Sequence, residues 1–342
     1  MRSRHGSRTI RLGSVLALGG YLSAAHAVGA CATEGDDDED QELTGRAESA
    51  LQATSLTGTS LPAKALALTF DDGPSARTAE LSTYLKSQNI KATFFVNGGH
   101  LATTTLPNPN GITVMPGAAA ILAQLVADGH LVANHTVTHR DLVSQVLPTG
   151  AAMVVQELSE MDTAMASSVP SSHFLFRAPY GSFNAGVYDA LKGSAMNKYA
   201  GPVGWDVGGT SNDYPNRAAD WACWQGQLYA GSTPANGTGY ATTSQCGDAY
   251  LAEITTAGRG IVLMHDPYSW ANGSTVDMVK YMVPILKSRG YTFVRADEVP
   301  AIAALFPTSG ANVVVLPRPP ARVTPVFTDT YVAPFVQSGS GF

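Results

Sequence analysis

The sequence predicts an α/β fold with about seven parallel strands and helices packed outside them. Three observations carry this. Short apolar runs at 65–70, 92–97, 130–136, 174–178, 202–207, 260–265 and 291–295 read as strands. Helical periodicity fills the gaps at 77–88, 117–128, 151–166, 185–192, 249–257 and 275–288, and Gly129, Gly193 and Gly290 follow helices as C-terminal caps do. Strands that alternate with helices make a parallel sheet with helices on its outside. About seven units fit either a barrel or a doubly wound sheet. The third observation is composition. The 342 residues are 44% hydrophobic and 14% charged, enough apolar content for a core and too much for wholesale disorder. A net charge of −6 excludes a strongly basic nucleic-acid binder. No internal repeat is evident, and no apolar run after the N-terminus is long enough to span a bilayer.

The first 30 residues stand apart. Arg2, Arg4, Arg8 and Arg11 precede an apolar, small-residue stretch over 13–30, the pattern of an export signal. Val28-Gly29-Ala30-Cys31 resembles a bacterial lipobox, so lipidation at Cys31 and a membrane anchor are expected. Cleavage after Ala25-His26-Ala27, giving a secreted protein, and an uncleaved anchor helix are the alternatives. Loss of residues 1–30 removes four Arg and no acid, which takes the charge from −6 to −10. An acidic run from Glu34 to Glu42 then repels itself, and 43–60 is Ser/Thr/Gly/Ala-rich. Residues 31–61 therefore read as a tether, 62–306 as the folded domain, and 307–342 as a Pro-rich tail. Within the domain, about 208–247 reads as an insertion with little helical or strand pattern. It holds Cys223 and Cys246, which an oxidising compartment would join as a disulfide.

The chemistry-bearing residues sit at strand ends. The first predicted strand runs into Thr69-Phe70-Asp71-Asp72-Gly73-Pro74. Adjacent carboxylates repel unless a cation lies between them; acids of a tight turn are the bland reading. The third ends in His135-Thr136-Val137-Thr138-His139, two His four apart that fall on one face of a helical turn. With a carboxylate from the first strand they would form a two-His, one-carboxylate site with open positions, which suits Zn²⁺ or a similar divalent ion. The fourth ends in Arg177-Ala178-Pro179-Tyr180-Gly181, where Arg177 could hold an Asp ionised. The sixth ends in Leu263-Met264-His265-Asp266, and His265 could act as a general acid.

These four elements, in this order, resemble the NodB-homology polysaccharide deacetylases, carbohydrate esterase family 4, over roughly residues 62–300. The resemblance implies a distorted (β/α) barrel with fewer than eight units and a divalent metal, usually zinc, with Co²⁺, Ni²⁺ or Mn²⁺ as alternatives. It implies Asp71 as catalytic base, and Asp72, His135 and His139 as metal ligands. Arg177 would position Asp71, and the Tyr180 backbone N–H would stabilise an oxyanion beside Pro179. His265 would be the general acid, with Leu263 lining the pocket for the acetyl methyl. Thr136 would brace the loop between the two His. The expected activity is removal of N-acetyl groups from an N-acetylglucosamine polymer in the cell envelope: peptidoglycan, chitin-like material or an exopolysaccharide. An O-acetyl esterase on xylan and a non-catalytic carbohydrate binder are the competing readings. A monomer is expected, since nothing resembles a dimerisation helix.

One motif departs from the family pattern W-x-x-D-x-x-D-W. The chain reads Trp205-Asp206-Val207-Gly208-Gly209-Thr210, with Gly208 where the first acid would be. Asp206, Asp213 and the pair Asp220-Trp221 are candidates for the acid that tunes His265. Trp221, Trp224, Tyr229 and Tyr240 in the insertion could stack on sugar rings or simply pack it.

Overall fold

The computed structural model describes residues 49–169, 173–210, 217–225, 242–270 and 273–306. Its centre is β2 (Ala65–Gly73), whose residues 65–71 are all buried. An almost unbroken apolar run suits a strand covered on both faces. β3 (Thr93–Val96) pairs with its C-terminal half, and β4 (Leu131–Asn134) pairs with β3. β6 (Gly260–His265) lies on the other side, in register from Leu66↔Gly260 to Asp71↔His265. β9 (Thr292–Val294) pairs with Ala65–Ala67 of β2. Every one of these pairings is parallel. A small antiparallel pair, β7 (Ser269–Trp270) and β8 (Gly273–Ser274), follows β6.

Two predicted strands are slighter than expected. Residues 174–178 form no ladder, and 202–207 contributes only β5 (Gly201–Val203). Isolated parallel bridges stand in for them: Asn134↔Phe176, Leu175↔Ala200 and Val207↔Val262. These carry the strand path from β4 round to β6, without continuous ladders along that arc. A further strand lies where the composition predicts a tether. Leu51–Leu56 forms β1, parallel to β5, and a short 3-10 turn, Gly58–Ser60, follows it. Leu51 and Leu61 are 2% and 1% exposed, so the folded unit begins before residue 62. The Ser/Thr-rich composition that suggested a linker is that of a strand with one buried end and polar residues facing solvent.

Helices α1 (Thr78–Ser87), α2 (Ala118–Ala127), α3 (Ala151–Ala164), α4 (Ala185–Lys192) and α7 (Thr275–Ser288) fall within two residues of their expected limits. Each buries an apolar stripe, such as Val154, Leu158 and Met161 of α3 or Val279, Met282 and Leu286 of α7. Side-chain caps start two of them: Asn184 accepts from Val187 N–H, and Ser274 accepts from Asp277 N–H. The insertion is more ordered than its composition suggested. It holds α5 (Asp220–Gln225), and α6 starts inside it, running Thr243–Ala257 from a Thr242/Gln245 capping box. Cys223 and Cys246 are disulfide-bonded and lie in these two helices, not in loop. A last short helix, α8 (Pro300–Ala303), closes the described chain. No described helix is long and apolar enough to cross a membrane.

Candidate metal centre and active site

Asp71 and Asp72 are consecutive in a strand, so they would normally point to opposite faces. The β2–β3 register slips between Asp71 and Gly73, and Asp72 takes a left-handed backbone (φ 69°). This bulge turns both carboxylates to the same opening. Gly73 is required next: a Cβ there would meet the Asp266 carboxylate oxygen at 2.5 Å. Asp266 is 1% exposed, accepts from Thr78 Oγ1, and has its carboxyl pushed up to about 7, with burial the largest cause.

Arg177 is fully buried, and each of its three side-chain nitrogens donates a hydrogen bond. Its Nη1 donates to Asp71 Oδ1 at 2.6 Å and to Thr69 Oγ1 at 2.9 Å. Nε and Nη2 donate to the carbonyls of Val203 and Gly204, both at 3.0 Å. Its plane lies 4.2 Å from the Phe95 ring centroid. A buried ion pair needs hydrogen bonding of this kind to offset its desolvation, and here the pair holds the Asp71 side chain in one orientation.

His135 and His139 reach the same opening, but not from a helical turn as their spacing suggested. They sit in a loop in which Thr136 (φ 65°) and His139 (φ 54°) are left-handed. Strained, non-glycine backbone of this kind persists only when its surroundings over-determine it. Three side chains do so. Asn134 Oδ1 accepts from Thr136 N–H, and Thr136 Oγ1 accepts from His139 N–H at 3.2 Å, the bracing expected of Thr136. Glu157 of α3, fully buried, accepts from the backbone N–H groups of Val137 and Thr138, from Thr138 Oγ1, and from Arg140 Nε.

The donors converge. Asp72 Oδ1 lies 3.5 Å from His135 Nε2 and 3.1 Å from His139 Nε2, and one ligand atom from each of the three residues falls within 4.8 Å of the others. His135 Nδ1 bonds the Arg177 carbonyl at 2.9 Å. That contact fixes Nδ1 as the donor and leaves the Nε2 lone pair facing Asp72. Burial, only partly offset by Asp72, pulls His139 down to about 4, so its imidazole is neutral at pH 7. Asp72 is held well below the usual carboxylate range: burial opposes its charge, and His139, His135 and His265 together outweigh burial. Its Oδ1 is buried with no protein hydrogen-bond partner. Two imidazole lone pairs and an orphaned carboxylate oxygen, all aimed at one point, fit a divalent cation.

Across the opening, His265 ends β6. Its Nδ1 meets Asp220 Oδ1 at 2.8 Å, and its backbone N–H donates to Asp220 Oδ2 at 2.6 Å. Burial lowers the imidazole pKa, but Asp220, with Asp72 and Asp71 behind it, raises it to about 9. Tyr268 stacks on the ring at 4.8 Å. Leu263, two residues back along the strand and so on the same face as His265, is buried beside Gly209. Pro179 is buried at the start of the turn that carries Tyr180, whose ring is exposed and stands 4.7 Å from His139.

The acid partner of His265 is thus Asp220. Asp206 is excluded from that role: its Oδ2 accepts from Gly58 N–H at 2.7 Å and Ile261 N–H at 2.8 Å, and so clamps the N-terminal turn to β6. Asp213, Tyr229, Tyr240 and Cys31 lie outside the described residues. Trp224 is fully buried, its Nε1 donating to Thr275 Oγ1, so it packs the insertion and stacks on no ligand. Trp221 packs against the same core. Glu157 had a legible signal in the sequence: a charge placed among Val154, Leu158 and Met161 on the apolar stripe of its helix.

At its strand ends the parallel α/β frame carries a His-His-Asp cluster that fits a divalent cation, an Arg-clamped carboxylate and a His-Asp pair, an arrangement suited to hydrolysis. The Polysaccharide deacetylase family matches residues 58–197. A chitooligosaccharide deacetylase of Bradyrhizobium sp. (strain ANU 289) is 30% identical over 240 residues, covering 66% of this chain and 85% of that protein. The chain belongs to the polysaccharide deacetylase family. A chitin deacetylase of Pestalotiopsis sp is 32% identical over 140 residues, and the chain spans 42% of its length. The crystal structure of a peptidoglycan N-acetylglucosamine deacetylase superposes with a TM-score of 0.51 at 19% identity, over 73% of this chain and 92% of that one, a likeness of fold.

Proposed function

We propose that the chain is a metal-dependent hydrolase that removes N-acetyl groups from an N-acetylglucosamine-containing polysaccharide in the cell envelope. The observation that carries this is the Asp71–Arg177 pair set directly beside the converging Asp72, His135 and His139 donors. A base fixed next to a cation site is what hydrolysis of an unactivated amide requires. A divalent ion held by those three residues, Zn²⁺ by their chemistry, supplies Lewis acidity toward the acetamide carbonyl and acidifies water.

The chain's own residues do the rest. Asp71, oriented by Arg177, accepts a proton from the attacking water. The Tyr180 backbone N–H, presented by a turn with φ 59°, donates to the oxyanion. His265, protonated at neutral pH through Asp220, delivers a proton from Nε2 to the departing amine. Leu263 gives the acetyl methyl an apolar wall. Acetate and a free amino sugar leave. The export signal and lipobox support a lipid-anchored protein whose substrate lies outside the cytoplasm.

Acetate release by the full-length protein tests the reading. The protein is metal-loaded or chelated, and N-acetylated peptidoglycan, chitin oligomers and acetylxylan are compared. Metal-dependent release from an amide polymer is the expected result. Release from acetylxylan alone would reassign the protein as an O-acetyl esterase, and no release with metal bound would leave a binder.

A further inference from the structure

The insertion that breaks the sequence motif also builds the seat of the His265–Asp220 pair. We infer that Tyr250 and the Cys223–Cys246 disulfide are positioning residues for Asp220; this rests on the proposed role of His265 as proton donor.

Asp220 begins α5, a helix of only six residues, which cannot hold itself in water. α6 grips it at two points. Cys223 lies one turn beyond Asp220, and it is bonded to Cys246 of α6. Tyr250 lies one turn beyond Cys246, so the disulfide and the Tyr250 side chain leave the same face of α6. The Tyr250 hydroxyl accepts from the Asp220 backbone N–H at 3.1 Å and donates to the Leu263 carbonyl at 2.9 Å. One hydroxyl therefore ties the first residue of α5 to the strand that carries both the apolar wall and His265. Tyr250 and both cysteines are fully buried.

The departure at position 208 follows from the same contact. Gly208 has φ 84°, and a Cβ there would meet the Leu263 carbonyl oxygen at 2.5 Å and the Tyr250 hydroxyl at 3.1 Å. The Tyr250–Leu263 bond therefore leaves no room for a side chain at position 208. The Asp220 carboxylate is saturated in turn. Oδ1 accepts from His265 Nδ1 and Trp221 N–H; Oδ2 accepts from His265 N–H and Thr275 Oγ1. It can be so placed only while α5 stays docked.

Two variants of the full chain test this, Tyr250→Phe and the double variant Cys223→Ser/Cys246→Ser. Tyr250→Phe keeps the ring and removes only the hydroxyl. Two readouts are taken on metal-loaded protein. The first is kcat and KM for acetate release. A kcat at least about tenfold lower, with KM and bound metal unchanged, is expected for a mispositioned proton donor. The second needs no activity: the low-field Nδ1–H proton of His265, identified by its loss in His265→Gln, is expected to shift or broaden in both variants. A Tyr250→Phe protein with lower thermal stability but unchanged kcat and an unchanged His265 resonance would overturn the inference. So would wild-type values in a folded double-serine variant. If the wild type releases no acetate, the proposed function fails while the resonance still decides whether Tyr250 and the disulfide hold the pair.

Discussion

Asp220 holds residue His265 twice, at the ring through Nδ1 (2.8 Å) and at the backbone through N–H (2.6 Å). The double contact fixes both the rotamer and the tautomer, leaving Nε2 for the substrate. Asp220→Asn is therefore expected to lower kcat by about 10²-fold or more, in the range of lost acid–base catalysis. Asp206→Ala is the contrasting control. It should cost about 1–3 kcal/mol of stability for two freed backbone N–H groups, with kcat of the folded protein unchanged. Thermal melts and acetate assays of both variants separate the roles.

The pH profile follows from the same pair. His265 is raised to about 9, so the protonated donor is present below that pH and is lost as pH rises through it. Activity should hold across neutrality and fall on the alkaline side. The raised pKa also contributes stability that is full below the ordinary His value of about 6.5 and fades between there and about 9. An NMR titration of His265 in metal-free protein checks the value. In Asp220→Asn it should titrate lower, because burial is then less opposed.

Metal and base can be separated. His139→Gln or Asp72→Asn removes a donor and should weaken Zn²⁺ binding in a chelator competition. Arg177→Lys should leave the metal bound. It loses the fork that reaches Asp71, Thr69, Val203 and Gly204 at once, and kcat should fall by about 10²-fold or more.

Glu157 touches no donor atom, yet it holds the loop that carries two of them. Glu157→Gln keeps the shape and gives up the charge that accepts from Val137, Thr138 and Arg140. Zn²⁺ affinity should drop by about 10–100-fold, as for other residues that orient metal ligands. Unchanged affinity in a folded variant would show that the loop holds its left-handed residues by other means.

The N-terminal boundary is testable by truncation. A chain starting at residue 49 retains β1 and the Gly58–Ser60 turn; one starting at 62 loses both, together with buried Leu51 and Leu61. Each of those leucines is worth about 1.5–3 kcal/mol, so the shorter chain should melt at a clearly lower temperature.

The sequence by itself determined the layout: strands alternating with helices, and Asp71, Asp72, His135, His139, Arg177 and His265 at strand ends. These were legible because strand and helix periodicities are local, and because each chemical group sits within a few residues of the strand that carries it. The tertiary structure decided the rest. Asp71 and Asp72 face one opening only because a bulge breaks the strand's alternation. The two His approach one point from a strained loop, and their spacing alone suggested a helical turn. Three acids near the broken motif were equivalent as text, and packing separated two of them: Asp220 meets His265 from 45 residues away, while Asp206, though closer to the motif tryptophan, caps backbone N–H groups. Leu51–Leu56 looked like a linker because its strand partner, Gly201–Val203, lies far along the chain. Contacts between residues so far apart in the chain depend on how the whole core closes, and no local pattern encodes that.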